Sequence, residues 1–493
     1  MIVFFMNKIF LTIVVLALGF EAIGIANEVP ARPNVLFIAV DDLRPELGCY
    51  GVLDIQTPNL DQLAASGMLF DRAYCQVSIC MPSRASVLSG YRPESIGNAG
   101  QVLNVVPTEI ATLPQLFRNH GYRTVSAGKV YHANYDDPSG WVKRYTDTFT
   151  EPEPAGGSQY GADGYCSGYQ HQGNPLLLVK NYFQGFADKS ISPLPPSFEI
   201  SDTVDEVHPD ALVAQRAIEE LQRAKKTGEP FFLAAGFYRP HLPFVAPKKY
   251  WDLYDRSKLA LPSNAAPVND GIKRYNWEEV RLYSDIPDNG PMSEAKTKEM
   301  IHGYYACVSF VDAQIGRVLD ELKRLKLDGN TIVVLWGDNG WSLSEHGLWG
   351  KNTNYETSAR VAMMIATPGM PKGVRTQALV ELVDIYPTLA ELCALPVPRH
   401  VEGTSFVPVM RQSDLAWKTA AFSRLLNGSR TIRSEHFRLI VHPDGQMELY
   451  DHRTDSAEDR NLAVDPAHRE TIKTLRSALE AGWKAALPVS GDL

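Results

Sequence analysis

The stretch Pro33-Asn34-Val35-Leu36-Phe37-Ile38-Ala39-Val40 is the strongest constraint this chain places on its own fold. A continuous apolar run has no polar face to offer water, so it reads as a strand covered on both sides. It stops abruptly at Asp41-Asp42. Segments from Tyr122 to Ala127, Pro230 to Phe237 and Thr331 to Trp336 also read as strands, with helical patterns between them. Strands alternating with helices predict an α/β fold, a large mostly parallel sheet sandwiched by helices. In open sheets of this kind ligand groups gather beyond the carboxyl ends of the strands. Those ends carry Asp41-Asp42, Lys129 with His132, His241, and Asp338-Asn339.

The helices expected between the strands run from about Thr57 to Gly67, Leu113 to Asn119, Pro209 to Lys225 and Glu294 to Leu325. On the last, Val308, Val311, Ile315, Val318 and Leu322 form one stripe, the pattern of core packing. Residues from Asn134 to about Val207 and from Leu261 to Pro291 lose periodicity and read as long surface loops. Tyr160, Tyr165 and Tyr169 in the first of these suit a carbohydrate cleft, or equally pin the loops to the core. Beyond Pro396 short strand-like runs separated by turn residues lead to an amphipathic helix from about Ala467 to Ala486. The expected division is a catalytic domain over residues 32–414 and a smaller C-terminal α+β subdomain over 415–493, an antiparallel sheet carrying a terminal helix.

Residues 1–26 read as a secretory signal peptide, with Lys8, an apolar run from Ile9 to Phe20, and Gly24-Ile25-Ala26 as the cleavage site. No later segment is long and apolar enough to span a bilayer. The expectation is an exported protein, secreted or periplasmic, with no membrane span after cleavage. The net charge of −9 speaks against general nucleic-acid or anionic-membrane binding, so an anionic substrate would need a local basic pocket. Six cysteines (Cys49, Cys75, Cys80, Cys166, Cys307 and Cys393) show neither a metal-type spacing nor a disulfide framework. Asn427-Gly428-Ser429 fits an N-glycosylation acceptor.

The paired Asp41 and Asp42 sit at a strand end, where both can reach one cation, and Asp338-Asn339 repeats the pattern. Three carboxylates and an amide oxygen suit a hard cation, Ca²⁺ or Mg²⁺; the competing reading is a set of turn and cap residues. Lys129, His132, His241 and Lys351 are each as easily solvated surface groups. Together they supply the cationic and acid–base groups an anionic ester site needs. Cys80 opens a helix in Cys80-Met81-Pro82-Ser83-Arg84, with Pro82 and Ser83 in the first turn and Gly90 as the stop. A small buried residue is the alternative role for this cysteine.

Cys80-x-Pro82-Ser83-Arg84 followed by Leu88-Ser89-Gly90 resembles the signature of the formylglycine-dependent sulfatases, within the alkaline phosphatase superfamily. Val40-Asp41-Asp42-Leu43-Arg44-Pro45-Glu46-Leu47-Gly48-Cys49-Tyr50-Gly51 is similar to the opening motif of the iduronate-2-sulfatase branch. Gly128-Lys129-Val130-Tyr131-His132, Arg239-Pro240-His241-Leu242-Pro243-Phe244, Gly337-Asp338-Asn339-Gly340-Trp341 and Ser344-Glu345-His346-Gly347-Leu348-Trp349-Gly350-Lys351 resemble that branch in order. Asn339 departs from it, since iduronate-2-sulfatase has histidine there and many other sulfatases have asparagine. The resemblance implies that a maturation enzyme converts Cys80 to formylglycine, whose hydrate is the nucleophile. It implies one Ca²⁺ held by Asp41, Asp42, Asp338 and Asn339 together with the residue at position 80. It further implies that Arg84 and Lys129 hold the hydrate, that His241 and Lys351 contact the sulfate, and that His132 takes a proton as sulfate leaves. The implied substrate is a sulfated oligo- or polysaccharide attacked from its non-reducing end, a glycosaminoglycan uronate 2-O-sulfate or an algal polymer. Trp341 either stacks on a sugar ring or lies in the core. The other readings are a phosphonate or phosphate ester hydrolase of the same superfamily, and a non-catalytic polysaccharide-binding protein in which Cys80 stays unmodified.

Overall fold

The computed structural model describes residues 32–96, 110–132, 136–145, 196–267, 271–272 and 279–488. The proposed signal segment, Cys166 and the three tyrosines Tyr160, Tyr165 and Tyr169 lie outside them.

Asn34–Val40 is the middle of an eight-stranded sheet and is buried at every position. It pairs in parallel with Phe231–Phe237 on one side and Thr331–Gly337 on the other. Its side chains alternate between two cores, as the pleat requires. Leu36, Ile38 and Val40 face one cluster, into which the helices Pro58–Ala65, Pro209–Thr227 and Glu294–Arg324 also bury residues. Val35, Phe37 and Ala39 face the other, shared with Cys80–Ser89, Leu113–Asn119 and Ile385–Leu392. A strand with two apolar faces therefore exists because helices cover both sides. The stripe Val308, Val311, Ile315, Val318 and Leu322 is buried in the first cluster.

The remaining strands are Arg123–Gly128 and Lys143–Tyr145 at one edge, and Met363–Ala366, Met68–Phe70 and Val374–Thr376 at the other. Met363–Ala366 runs antiparallel to both of its neighbours, so the sheet is mixed but mostly parallel. Four of these strands are three or four residues long. Runs so short carry no distinguishing periodicity, and sequence reading passes over them.

Near the C-terminus, Ala420–Arg424, Arg430–Ser434, Phe437–Val441 and Met447–Asp451 form a four-stranded antiparallel sheet. Ile472, Leu475 and Leu479 of the helix Arg469–Ala481 close a third core against it. This subdomain is knitted to the larger one by polar contacts. Ser423 donates to the Cys75 carbonyl at 2.5 Å, Arg424 N–H donates to the Gln76 carbonyl at 2.9 Å, and Lys418 pairs with Glu381 and Asp384 at 2.8 and 2.7 Å.

Two glycines let the chain fold back over the strand ends. Gly128 and Gly236 are register partners, and Gly128 takes a positive φ of 73°. A Cβ on Gly236 would lie 2.0 Å from the Lys129 carbonyl oxygen. Gly236→Ala is expected to lower stability by about 1–3 kcal/mol through overpacking. Because the clash falls on Lys129, activity should fall further than stability; urea unfolding and turnover of the same preparations check this.

Candidate active site

The carboxyl ends of the central strands converge as the topology demands. Asp41 N–H donates to the Phe237 carbonyl and Asp338 N–H to the Val40 carbonyl, at 3.1 and 3.3 Å, so both aspartates extend the ladder by one residue. Asp42 then leaves the strand with a φ of 57°, a left-handed conformation that aspartate tolerates better than most residues. The turn brings its carboxylate back beside its neighbour's. Tyr304 locks the turn by donating its hydroxyl to the Asp42 carbonyl at 2.9 Å.

Carboxylate oxygens of Asp41, Asp42 and Asp338 and the Cys80 sulfur lie within 4.8 Å of one another, and all four residues are buried. Asp338 Oδ1 accepts from the Asp42 and Asn339 backbone N–H groups at 3.0 and 2.9 Å and from Asn339 Nδ2 at 2.9 Å. Arg84, wholly buried, donates from Nε to Asp338 at 2.7 Å and from its other arm to Asp41 at 3.2 Å, and anchors on the Lys129 and Val130 carbonyls. Lys129 reaches Asp41 at 2.5 Å. Lys351 reaches Asp42 at 2.8 Å and the Cys80 sulfur at 2.9 Å. His241 points Nε2 at Asp42, 3.7 Å away, while Nδ1 sits 2.7 Å from the Leu242 carbonyl. That contact makes Nδ1 the protonated nitrogen and leaves Nε2 facing the site.

The charges sort these groups. Burial raises the Asp41 carboxyl, but Lys129, His241, Arg84 and Lys351 outweigh it and hold the group well below its ordinary value. Burial pushes Asp42 well above its ordinary value, with Asp41, Asp338 and Glu279 adding to the rise against Lys351. Asp338 is raised by burial and by Asp41 despite Arg84. Burial and the two aspartates Asp338 and Asp41 also push the Cys80 thiol well up, so the unmodified cysteine is a poor thiolate nucleophile. His132 and His241 are held neutral, first by burial and then by the neighbouring lysines.

The donor set fits a hard divalent cation. Crowded carboxylates with raised affinity for protons are the groups a cation would relieve. Asn339 Oδ1 is buried with no hydrogen-bond partner, an oxygen in want of a positive charge. Asp41, Asp42, Asp338 and Asn339 would hold the ion, with position 80 adjoining. A second acidic group of Glu356, His452 and Glu458 has ligand atoms equally close, but Arg438 already binds Glu356 and reaches Glu458 at 2.5 Å, so that cluster is neutralised internally.

The segment that carries Lys351 is tied to this second cluster. Ser344, His346, Gly347, Gly350 and Asn352 all have positive φ, so the segment carrying Lys351 is held rather than relaxed. His346 Nε2 sits 3.1 Å from the Glu458 carbonyl, Glu356 N–H donates to Glu458 at 2.7 Å, and Tyr355 donates to Glu448 at 2.8 Å. Across the segment, Asn352 N–H donates to the Ser78 carbonyl at 3.0 Å, two residues before Cys80.

Of the residues singled out in the sequence, Asp41, Asp42, Cys80, Arg84, Lys129, His241, Asp338, Asn339 and Lys351 are joined by direct contacts or one shared partner. His132 follows Lys129 with its Nδ1 buried and unpartnered. Trp341 is fully buried, with Lys351 5.5 Å and His241 6.3 Å from its ring. It has no ring face to offer a sugar and packs beside these two side chains in the core. Sequence reading missed Glu279, whose carboxylate lies 3.5 Å from His241 and 3.8 Å from Lys351. Glu279 belongs to a loop-rich insert with no periodicity or motif, so no signal in the sequence pointed to it.

Sequence comparison matches residues 33–394 to the family profile described as Sulfatase. This chain belongs to the sulfatase family. The sulfatase also matches, over residues 344–484, the profile described as N-sulphoglucosamine sulphohydrolase, C-terminal. A sulfatase of Formosa agariphila is 32% identical over 471 residues, covering 92% of this chain and 88% of the relative. Iduronate 2-sulfatase of Homo sapiens is 33% identical, covering 80% and 75%, and that of Mus musculus 32%, covering 79% and 74%. Among solved structures, a protein in complex with its substrate D-glucosamine-2-N,6-O-disulfate superposes with a TM-score of 0.71 at 23% identity, covering 91% of this chain and 97% of the other. Phosphonate monoester hydrolase of Agrobacterium radiobacter reaches the same TM-score, 0.71, at 20% identity, covering 92% and 96%. These structural likenesses establish the shared fold. The family identifies this protein as a sulfuric ester hydrolase.

If this site takes a divalent cation, Ca²⁺ added to chelator-treated sulfatase should raise Tm by several degrees, because a ligand confined to the folded state stabilises that state. Asp42→Asn and Asp338→Asn should lose that gain, as read by thermal unfolding with and without the ion.

Proposed function

We propose that this sulfatase is exported and removes sulfate from a sulfated carbohydrate, acting at the non-reducing end on a uronate 2-O-sulfate of the iduronate 2-sulfatase kind. The observation that carries the sulfate-ester chemistry is the cluster of three buried carboxylates, Arg84 and two lysines around Cys80, and the uronate linkage is taken from the likeness to iduronate 2-sulfatases. Export is inferred from the charge, apolar run and small residues of positions 1–26. Among the described residues no helix is long and apolar enough to cross a membrane.

Cys80 is the residue a maturation enzyme would oxidise to formylglycine. The raised thiol favours this reading over direct attack by a thiolate. Once hydrated, the aldehyde places two hydroxyls on one carbon, one to attack sulfur and the second to release sulfate. Bound Ca²⁺ supplies a Lewis acid that polarises a sulfate oxygen and offsets the crowded carboxylates.

The chain's own groups do the rest. Arg84 and Lys129 fix Asp41 and Asp338, so the carboxylates stay in register while the ester enters. Lys351, whose proton is held firmly by Asp42 and the other neighbouring acids even against burial, presents an ammonium 2.9 Å from position 80. It and His241 would contact the sulfate, and Lys351, which keeps its proton while His241 is neutral, would protonate the departing sugar oxygen. His132, neutral with an unpartnered Nδ1, would take the second hydroxyl's proton.

Sulfate release from 2-O-, 4-O- and 6-O-sulfated oligosaccharides tests the proposal. Wild type should act on one linkage, and Cys80→Ala should lose at least about a thousandfold in kcat, the scale of removing a nucleophile. Full hydrolysis by Cys80→Ala would sink the nucleophile assignment. Faster turnover of an aryl phosphonate than an aryl sulfate would replace the substrate class.

A further inference from the structure

The segment that carries Lys351 gains little hold from its own amide side chains. Asn352 Oδ1 and both amide atoms of Asn354 are buried and find no hydrogen-bond partner in the protein, whereas the buried amides of Asn34, Gln76 and Gln314 are all bonded. The segment is fastened instead on either side of the lysine, which lies midway in the sequence between His346 and Glu356. Upstream, His346 Nε2 sits 3.1 Å from the Glu458 carbonyl. Downstream, Glu356 N–H donates to the Glu458 carboxylate at 2.7 Å, and the Glu356 carboxylate accepts from the Tyr74 hydroxyl at 2.9 Å.

Arg438 ties the two fastenings together. It is wholly buried on the strand Phe437–Val441, donates from Nε to Glu458 at 2.5 Å and binds Glu356 with its other arm. Its guanidinium lies 5.7 Å from the centre of the Tyr74 ring. Arg433 is 3.5 Å from Glu356 and His452 2.9 Å from Glu458, so each pairs with one carboxylate. Among the described residues Arg438 is the cation that bridges both. A planar fork fixes the relative place of two carboxylates in a way that a point charge does not. Resting on the reading that Lys351 protonates the departing sugar oxygen, we propose that Arg438 is a positioning residue for that proton transfer. By holding Glu356 and Glu458 together it keeps Lys351 at 2.9 Å from position 80, although it touches neither. Without the bridge the two buried carboxylates repel one another, and the clamp opens around the lysine.

Acetylation of the full-length protein by a water-soluble active ester, followed by mass spectrometry, reads the position of Lys351 without reference to turnover. Lys351 and Lys418 are 6% and 5% exposed, and Lys418 lies at another seam between the same two units, paired with Glu381 and Asp384. In Arg438→Met, Lys351 should label at least about tenfold faster while Lys418 stays slow, the mark of a local opening. Labelling of Lys351 that stays slow, or that rises together with that of Lys418, overturns the proposal. Turnover gives the second reading, from 4-nitrophenyl sulfate and 4-methylphenyl sulfate, esters of similar size whose leaving oxygens differ in their need for a proton. Arg438→Met and Lys351→Met should each lose at least about tenfold more kcat on the methylphenyl ester, where proton transfer to the leaving group matters most. Equal losses on the two esters in Arg438→Met alone overturn the positioning role and leave Lys351 standing as proton donor. Equal losses in Lys351→Met overturn the proton donor and this proposal together. Where thermal unfolding shows Arg438→Met misfolded, Arg438→Met combined with Glu356→Gln, which removes a buried charge of each sign, carries the same comparisons.

Discussion

The mutual compensation of buried charge beyond the central strands is the constraint on which the rest of this structure depends. Asp41, Asp42 and Asp338 are fully buried, and carboxylates removed from water are sustained only by partners. Arg84 bridges two of them, Lys129 and Lys351 take one each, and the backbone N–H groups of Asp42 and Asn339 converge on Asp338. The compensation is incomplete, since Asp42 remains raised and Asn339 Oδ1 remains unpartnered. Incomplete compensation suits a binding site, because the remaining cost is met by what enters.

Each compensating cation is delivered by a different structural device. Arg84 comes from the first turns of a buried helix that stops at Gly90, with φ 75°. Lys129 comes from a chain reversal permitted by two facing glycines. Lys351 comes from a strained segment held from outside by the C-terminal subdomain through Glu458, Glu448 and Arg438. The smaller subdomain is thus part of the active-site architecture although, among the described residues, none of its side chains enters the catalytic cluster described above. The family match beginning at residue 344 spans the same unit, from the Lys351 segment to the terminal helix.

Much of this was legible in the primary structure. Asn34–Val40, Phe231–Phe237 and Thr331–Gly337 announce themselves because a strand buried on both faces must be apolar throughout. The helix Leu113–Asn119 has the bounds its pattern predicts, with Thr112 capping it through a 3.2 Å hydrogen bond from Gln115 N–H. Edge strands such as Met363–Ala366 and Val374–Thr376 were not legible, because their short runs owe their conformation to neighbours far away in the chain. Glu279 was invisible because its insert has neither periodicity nor motif, and only the fold brings it beside His241 and Lys351. Trp341 shows the limit of a motif, whose position was clear while its direction was not.

The sequence by itself determined the class of fold, the strand ends at which chemistry gathers, and the residue types present there, because periodicity and local spelling are properties of adjacent positions. Tertiary structure alone decided which charges neutralise one another and which are left over. Those outcomes depend on distances between residues hundreds of positions apart, such as Asp42 and Lys351 at 2.8 Å, and on the burial that makes each distance matter.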